Sequence, residues 1–212
     1  MWGIVLNNLA YYLISPIKKT HNFVNCHFSN QLLSFATYFI TTITLSMLFN
    51  LTNLNYWIPS FIFVSALIIT IRTDLETMLI SRFASLFLVP IGFLSSYFGM
   101  IPISLKDSLL GFICGYGILF VVSKIFYFFR KQEGIGQGDL ELLGFIGAFL
   151  GILGCWFSLF FGSILGSFVG IGYIIHRRKI AALKIPFGPF LALGAILYLL
   201  FKQQILCIMV AA

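Results

Sequence analysis

Charge is what this sequence has least of. Only 9% of its 212 residues are Asp, Glu, Lys or Arg, against 60% hydrophobic ones, and the mean hydropathy is +1.03. A soluble domain carries roughly 25% charged residues, so that class is excluded. Alternation is missing too. The apolar runs are long and continuous, where strands of a transmembrane barrel would alternate at period two. The longest polar stretch, PIKKTHNFVNCHFSNQL at 16–32, suits a short loop, so neither a soluble domain nor a low-complexity linker is expected. The four cysteines, Cys26, Cys114, Cys155 and Cys207, include no Cys-x-x-Cys pair. Cys26 with His21 and His27 offers three side chains, where a structural zinc takes four ligands, typically in closely spaced pairs; no metal and no cofactor is expected. A disulfide between Cys155 and Cys207 is open to the chain in an oxidising compartment. The N-terminal stretch lacks a basic n-region and a small-residue cleavage site, so it does not read as a removable signal peptide.

What is there is apolar sequence in helix-length pieces. Spanning a bilayer takes about 20 mostly apolar residues, which predicts an all-α, polytopic transmembrane helical bundle of seven or eight spans. They fall near 33–50, 56–73, 83–100, 108–129, 139–154, 156–176 and 186–206, with a weaker stretch, 2–15, as the eighth. Residues 1–32 then form an N-terminal apolar segment and short loop, and 33–212 the transmembrane domain. The loops sort the cations. Lys18, Lys19, Arg72, Arg82, Arg130, Lys131, Arg177, Arg178, Lys179 and Lys184 fall on one side, and Lys106 and Lys202 on the other. Lys and Arg mark cytoplasmic loops, which places 17–32, 74–82, 130–138 and 177–185 in the cytoplasm. The net charge of +7 is thereby accounted for without nucleic acid. Gly162, Gly166 and Gly170 recur every four residues, as do Gly111 and Gly115, a spacing that lets two helix backbones approach in lipid.

Only six acids exist: Asp74, Glu76, Asp107, Glu133, Asp139 and Glu141. Asp107, beside Lys106, reads as a solvated charge or a cap on the next helix, and Glu133 as a solvated loop charge. Asp74 ends the span YWIPSFIFVSALIITIRTD and Asp139 opens DLELLGFIGAFLG, so both stand at the cytoplasmic ends of their helices. An ionisable group at membrane depth is a functional candidate by default. Two carboxylates about 3 Å apart cannot both ionise easily, so one keeps a proton. The charged one then activates a water and the protonated one donates to a carbonyl oxygen, which is metal-free peptide hydrolysis. Gly134, Gly136 and Gly138 clear side chains away just before Asp139, which lets a substrate backbone come close. Asp139 as a helix N-cap is the competing reading. Glu76 and Glu141 each lie two residues past an aspartate, roughly 200° around a helix, so they do not share its face.

Three stretches now add a resemblance. GIGQGDLELLGFIGAFLG, with Gly136, Gln137, Gly138 and Asp139, is similar to the G-x-G-D region of the prepilin peptidases, the type IV leader peptidase family of intramembrane aspartic proteases. TDLETMLISRF looks like that family's first aspartate segment, and KIPFGPFLALGA resembles its Pro-Phe-Gly-Pro lead-in to a late helix, here Pro186, Phe187, Gly188 and Pro189. The likeness covers about residues 56 to 206. It implies that Asp74 and Asp139 form the catalytic pair, with Gly136, Gly138 and Pro186–Pro189 forming the active-site loops. It also implies an inner-membrane enzyme that removes short basic leaders from type IV prepilins or pseudopilins at the cytoplasmic face, after glycine and before an apolar helix. The chain departs from the family at Ser81, where proline is frequent, and at Glu141, where lysine is common. Many members also carry two Cys-x-x-Cys pairs in a cytoplasmic domain associated with N-methylation; the loop at 16–32 holds only Cys26, which implies that methyl transfer is absent or done elsewhere. Prepilins or pseudopilins and membrane lipids are the expected partners. The rival classes are an ion- or proton-coupled transporter and an inactive relative acting in assembly.

Overall fold

The computed structural model describes residues 40, 57–78, 80, 85–131, 134–177 and 186–211. Every regular element among the described residues is helical, as expected. The elements are α1 (Trp57–Thr77), a short 3-10 turn (Leu86–Leu88) running into α2 (Val89–Tyr97), α3 (Leu105–Arg130), α4 (Gln137–Arg177) and α5 (Gly188–Ala211). Backbone groups in lipid have no water to bond, so a spanning chain satisfies them within its own helices. Three of these helices are long and apolar enough to cross a membrane: Ile58–Thr77, Leu105–Arg130 and Gln137–Gly172. Leu86–Tyr97 and Gly188–Lys202 are apolar but shorter. The expected span at 83–100 is therefore mostly α2, whose 9 residues fall well short of a ~30 Å crossing. The expected spans at 2–15 and 33–50 lie outside the described residues, apart from the single helical position Ile40.

α4 doubles back on itself. An added Cβ on Gly111 of α3 would meet both the Gly147 carbonyl oxygen and Gly151, and one on Gly115 would meet both the Leu143 carbonyl oxygen and Cys155 Sγ, the last at 3.1 Å. In a straight helix Leu143 and Cys155 would be about 18 Å apart along the axis, so one glycine of α3 cannot touch both. The chain reverses at Gly151, whose φ of 74° and ψ of −173° lie outside helical space in a region essentially reserved for glycine. Ala148, just before the break, has its carbonyl oxygen capped by the Ser108 hydroxyl at 2.5 Å. The expected spans 139–154 and 156–176 are the two limbs of this helix, turned at Gly151 and not near 155. The returning limb runs along α5: Ser158 Oγ donates to Leu191 O at 2.7 Å, and an added Cβ on Gly162 would lie 3.0 Å from Phe190 O.

Helices in lipid associate through close packing and not through hydrophobic burial, and the glycines supply it here. The closest approach is Gly147 against Gly111, backbone to backbone. Gly147→Ala is expected to push α3 and α4 apart, cost about 1–3 kcal/mol and lower the melting temperature of the detergent-extracted protein. Wild-type melting would refute the backbone contact. On the other flank of α4, Phe63 of α1 stacks on Phe145 and Phe149, with ring centroids 5.2 and 5.1 Å apart. Phe63, Leu67, Thr70 and Asp74 recur at helical spacing along α1, so the acid sits on the same buried face of α1 as Phe63. Thr70, Thr73 and Thr77 return their hydroxyls to the carbonyls of Ala66, Thr70 and Thr73, which lets three polar side chains sit in an apolar helix.

Candidate active site

α1 ends just past Asp74. The Met78 amide bonds the Asp74 carbonyl oxygen at 2.8 Å, and Met78 itself takes a left-handed φ of 53° that turns the chain out of the helix. Asp74 is buried, 4% exposed, in the last turn. Its Oδ2 accepts a 3.1 Å hydrogen bond from the amide of Gly188, 114 residues away. That donor exists because α5 begins there: first-turn N–H groups have no intrahelical partner, and the next residue, Pro189, has no N–H at all. Phe187 closes the turn behind it, its carbonyl oxygen accepting from Phe190 at 3.0 Å and from Leu191 at 3.2 Å. An added Cβ on Gly188 would lie 2.7 Å from Asp74 Oδ2. The amide reaches the acid only because no side chain intervenes.

α4 begins at Gln137, which makes Asp139 the third residue of the helix and Gly136 the capping position. The Asp139 amide bonds Gly136 O at 3.1 Å, and its Oδ2 lies beside Gly136, 3.3 Å from where an added Cβ would stand. Asp139 is therefore not the N-cap that one reading of the sequence allowed. A carboxylate in a first turn also gains from the helix dipole. Asp139 is half-buried, and it stands near enough to Asp74 to feel its charge.

The structure thus brings together Asp74, Asp139, Gly136, Gly138 and Gly188, with Pro186, Phe187 and Pro189 forming the turn that presents the Gly188 amide. Ser81, Glu133, Cys26, His21 and His27 lie outside the described residues. The other acids go elsewhere. Asp107 accepts the Ser104 hydroxyl at 2.8 Å and donates its own amide back at 3.1 Å, capping α3. Glu76 pairs with Arg72, Nε to Oε1 at 2.9 Å. Arg72, counted among the cytoplasmic-side cations at the end of the span 56–73, is a buried member of α1, held by a partner one turn away. Glu141 is also buried, at the helical spacing of Phe145 and Ala148 and not on the Asp139 side of α4. Cys155 is buried, Cys207 is exposed, and both are free thiols, so the disulfide that the sequence left open is not formed.

One residue escaped the sequence reading. Ile80, half-buried just beyond α1, covers both Gly138 and Gly188; an added Cβ on either would come within 3 Å of its side chain. The only signal was its place six residues after Asp74 in TDLETMLI.

The profile of the type IV leader peptidase family matches residues 61–175, more than half of the chain, and includes both aspartates. Several curated proteins named prepilin leader peptidase/N-methyltransferase are similar. The one from Aeromonas hydrophila is 36% identical over 132 residues, 62% of this chain and 45% of that protein. The one from Pseudomonas aeruginosa is 32% identical over 132 residues, again 62% and 45%. The one from Bacillus subtilis is 32% identical over 149 residues, 70% of this chain and 57% of that protein. The chain spans about half the length of the curated relatives it matches, and no solved structure matches it. With two aspartates carried by distant segments to one end of an apolar helical bundle, and a family profile running through both of them, the chain belongs to the type IV leader peptidase family.

Proposed function

We propose that this protein is a membrane-embedded aspartic endopeptidase that removes the short basic leader from type IV prepilins or pseudopilins, with Asp74 and Asp139 as its catalytic pair. The observation that carries this reading is the convergence of the two helix ends that bear the acids: the Gly188 amide that begins α5 holds Asp74, and Ile80 packs on both Gly188 and Gly138, the residue before Asp139. The pair shares one proton. The ionised carboxylate takes a proton from water as its oxygen attacks the scissile carbonyl carbon, and the protonated one donates to the carbonyl oxygen. Collapse of the tetrahedral intermediate breaks the C–N bond, and a proton passes to the leaving amine. No metal and no covalent enzyme intermediate is required. Gly136, exposed beside Asp139, leaves a substrate backbone room to approach that acid, while Gly138 and Gly188 let Ile80 and Asp74 pack closely. The excess of Lys and Arg in the loops on the aspartate side supports an active site near the cytoplasmic face of the inner membrane, and the apolar outer face of α3 suits contact with lipid. No methyl transfer is assigned to residues 1–32, which hold a single cysteine.

Co-expression with a type IV prepilin, followed by N-terminal sequencing of the product, tests the activity. We expect a new N-terminus at the end of the leader. Cleavage in detergent is expected to survive a chelator and a thiol alkylator and to follow a bell-shaped pH profile whose two limbs belong to the pair. Loss on alkylation, with resistance restored by replacing one cysteine with serine, would sink the aspartate mechanism. Proton-dependent flux in proteoliposomes with no new N-terminus would instead identify a transporter.

A further inference from the structure

We infer that Ile80 is a positioning residue for the aspartate pair, a wedge that sets the distance between the first turn of α4 and the first turn of α5. The inference rests on the peptidase reading above and deepens it. An added Cβ on Gly138 would lie 2.7 Å from Ile80 Cβ, 3.2 Å from Cγ1 and 3.3 Å from Cδ1, and one on Gly188 would lie 2.9 Å from the same Cδ1. A single side chain is therefore in contact with the residue before Asp139 and with the residue whose amide holds Asp74. Isoleucine is stiff at χ1, so the wedge has a defined width. It arrives by way of the left-handed turn at Met78, which carries the chain from the end of α1 across the two glycines. Neither glycine has a side chain of its own to hold the gap, so its width depends on what occupies position 80. Truncating that side chain lets the two first turns settle together and moves the carboxylates out of register.

Misplacing a reacting group by about 1 Å costs roughly a hundredfold in rate. Ile80 touches the elements that carry the acids, so the loss belongs in kcat. With a purified type IV prepilin as substrate, Ile80→Ala is expected to lower kcat by tenfold or more, leaving KM within about twofold and abundance unchanged. Ile80→Val should fall between alanine and wild type. Wild-type kcat in Ile80→Ala, or a loss confined to KM, would overturn the inference. Should Ile80→Ala fail to accumulate, Ile80→Val provides the second route: it keeps the branched Cβ against Gly138 and removes the Cδ1 that reaches Gly188, and wild-type kcat in that variant would overturn the wedge. Asp139→Asn is assayed alongside. A fully active Ile80→Ala beside a dead Asp139→Asn removes only this inference, whereas cleavage surviving in Asp139→Asn removes the peptidase reading itself.

Discussion

Asp74→Asn and Asp139→Asn are each expected to reduce prepilin cleavage by about a thousandfold or more, within the range ascribed to a positioned acid or base and close to abolition in a cellular assay. The protein should still insert and accumulate. Asparagine is nearly isosteric with aspartate, and its side-chain oxygen still accepts the Gly188 amide now bound at 3.1 Å. What it loses is the ability to ionise and to share a proton. Glu76→Gln is the internal contrast: its partner is Arg72, on the far side of α1 from Asp74, so cleavage should fall little. Near wild-type cleavage in either asparagine variant would disprove the catalytic pair. A dead Glu76→Gln at normal abundance would show that the acids had been assigned to the wrong faces.

Gly188→Ala is expected to lose about a hundredfold in cleavage without loss of the fold. The added methyl would lie 2.7 Å from Asp74 Oδ2 and 2.9 Å from Ile80 Cδ1, so something must shift. The carboxylate is the easiest to move, and moving it breaks its bond to the Gly188 amide and turns it away from Asp139. No positive φ is involved, so the penalty is steric and local to the acid. Gly117→Ala is the control: nothing lies within 4 Å of a Cβ added there, and activity should be retained. Equal rates for Gly188→Ala and wild type would show that the tight contact between α5 and Asp74 has no part in the reaction.

Much of the molecule was legible in one dimension. Long apolar runs permit only helices, because lipid offers no partner to an unpaired backbone group. The glycines at 111 and 115 announced a close helix contact, and Gly147 and Leu143 are what they meet. The acids were few enough to weigh one by one, and Asp74 and Asp139 stood out because each closes or opens an apolar helix. Hydropathy is blind to the rest. It grouped Arg72 with the cytoplasmic-side cations and carried no sign that the arginine is buried in the helix with Glu76 as its partner one turn away. It put the reversal of α4 near residue 155, because Gly144, Gly147, Gly151 and Gly154 look alike in sequence; which one turns the chain depends on where α3 lies against it.

The sequence by itself determined the helical class, the membrane setting, the positions of the two aspartates at helix ends and the glycine-rich approach to Asp139. These follow from composition and from periods of a few residues, within which the backbone's own geometry decides. Only the tertiary structure decided what completes the site: the Gly188 amide on Asp74 across 114 residues, and Ile80 lying over two glycines from different helices. Contacts between distant segments depend on how helices cross and how closely their backbones pack, and those are properties of side-chain shapes meeting in space that no local pattern carries.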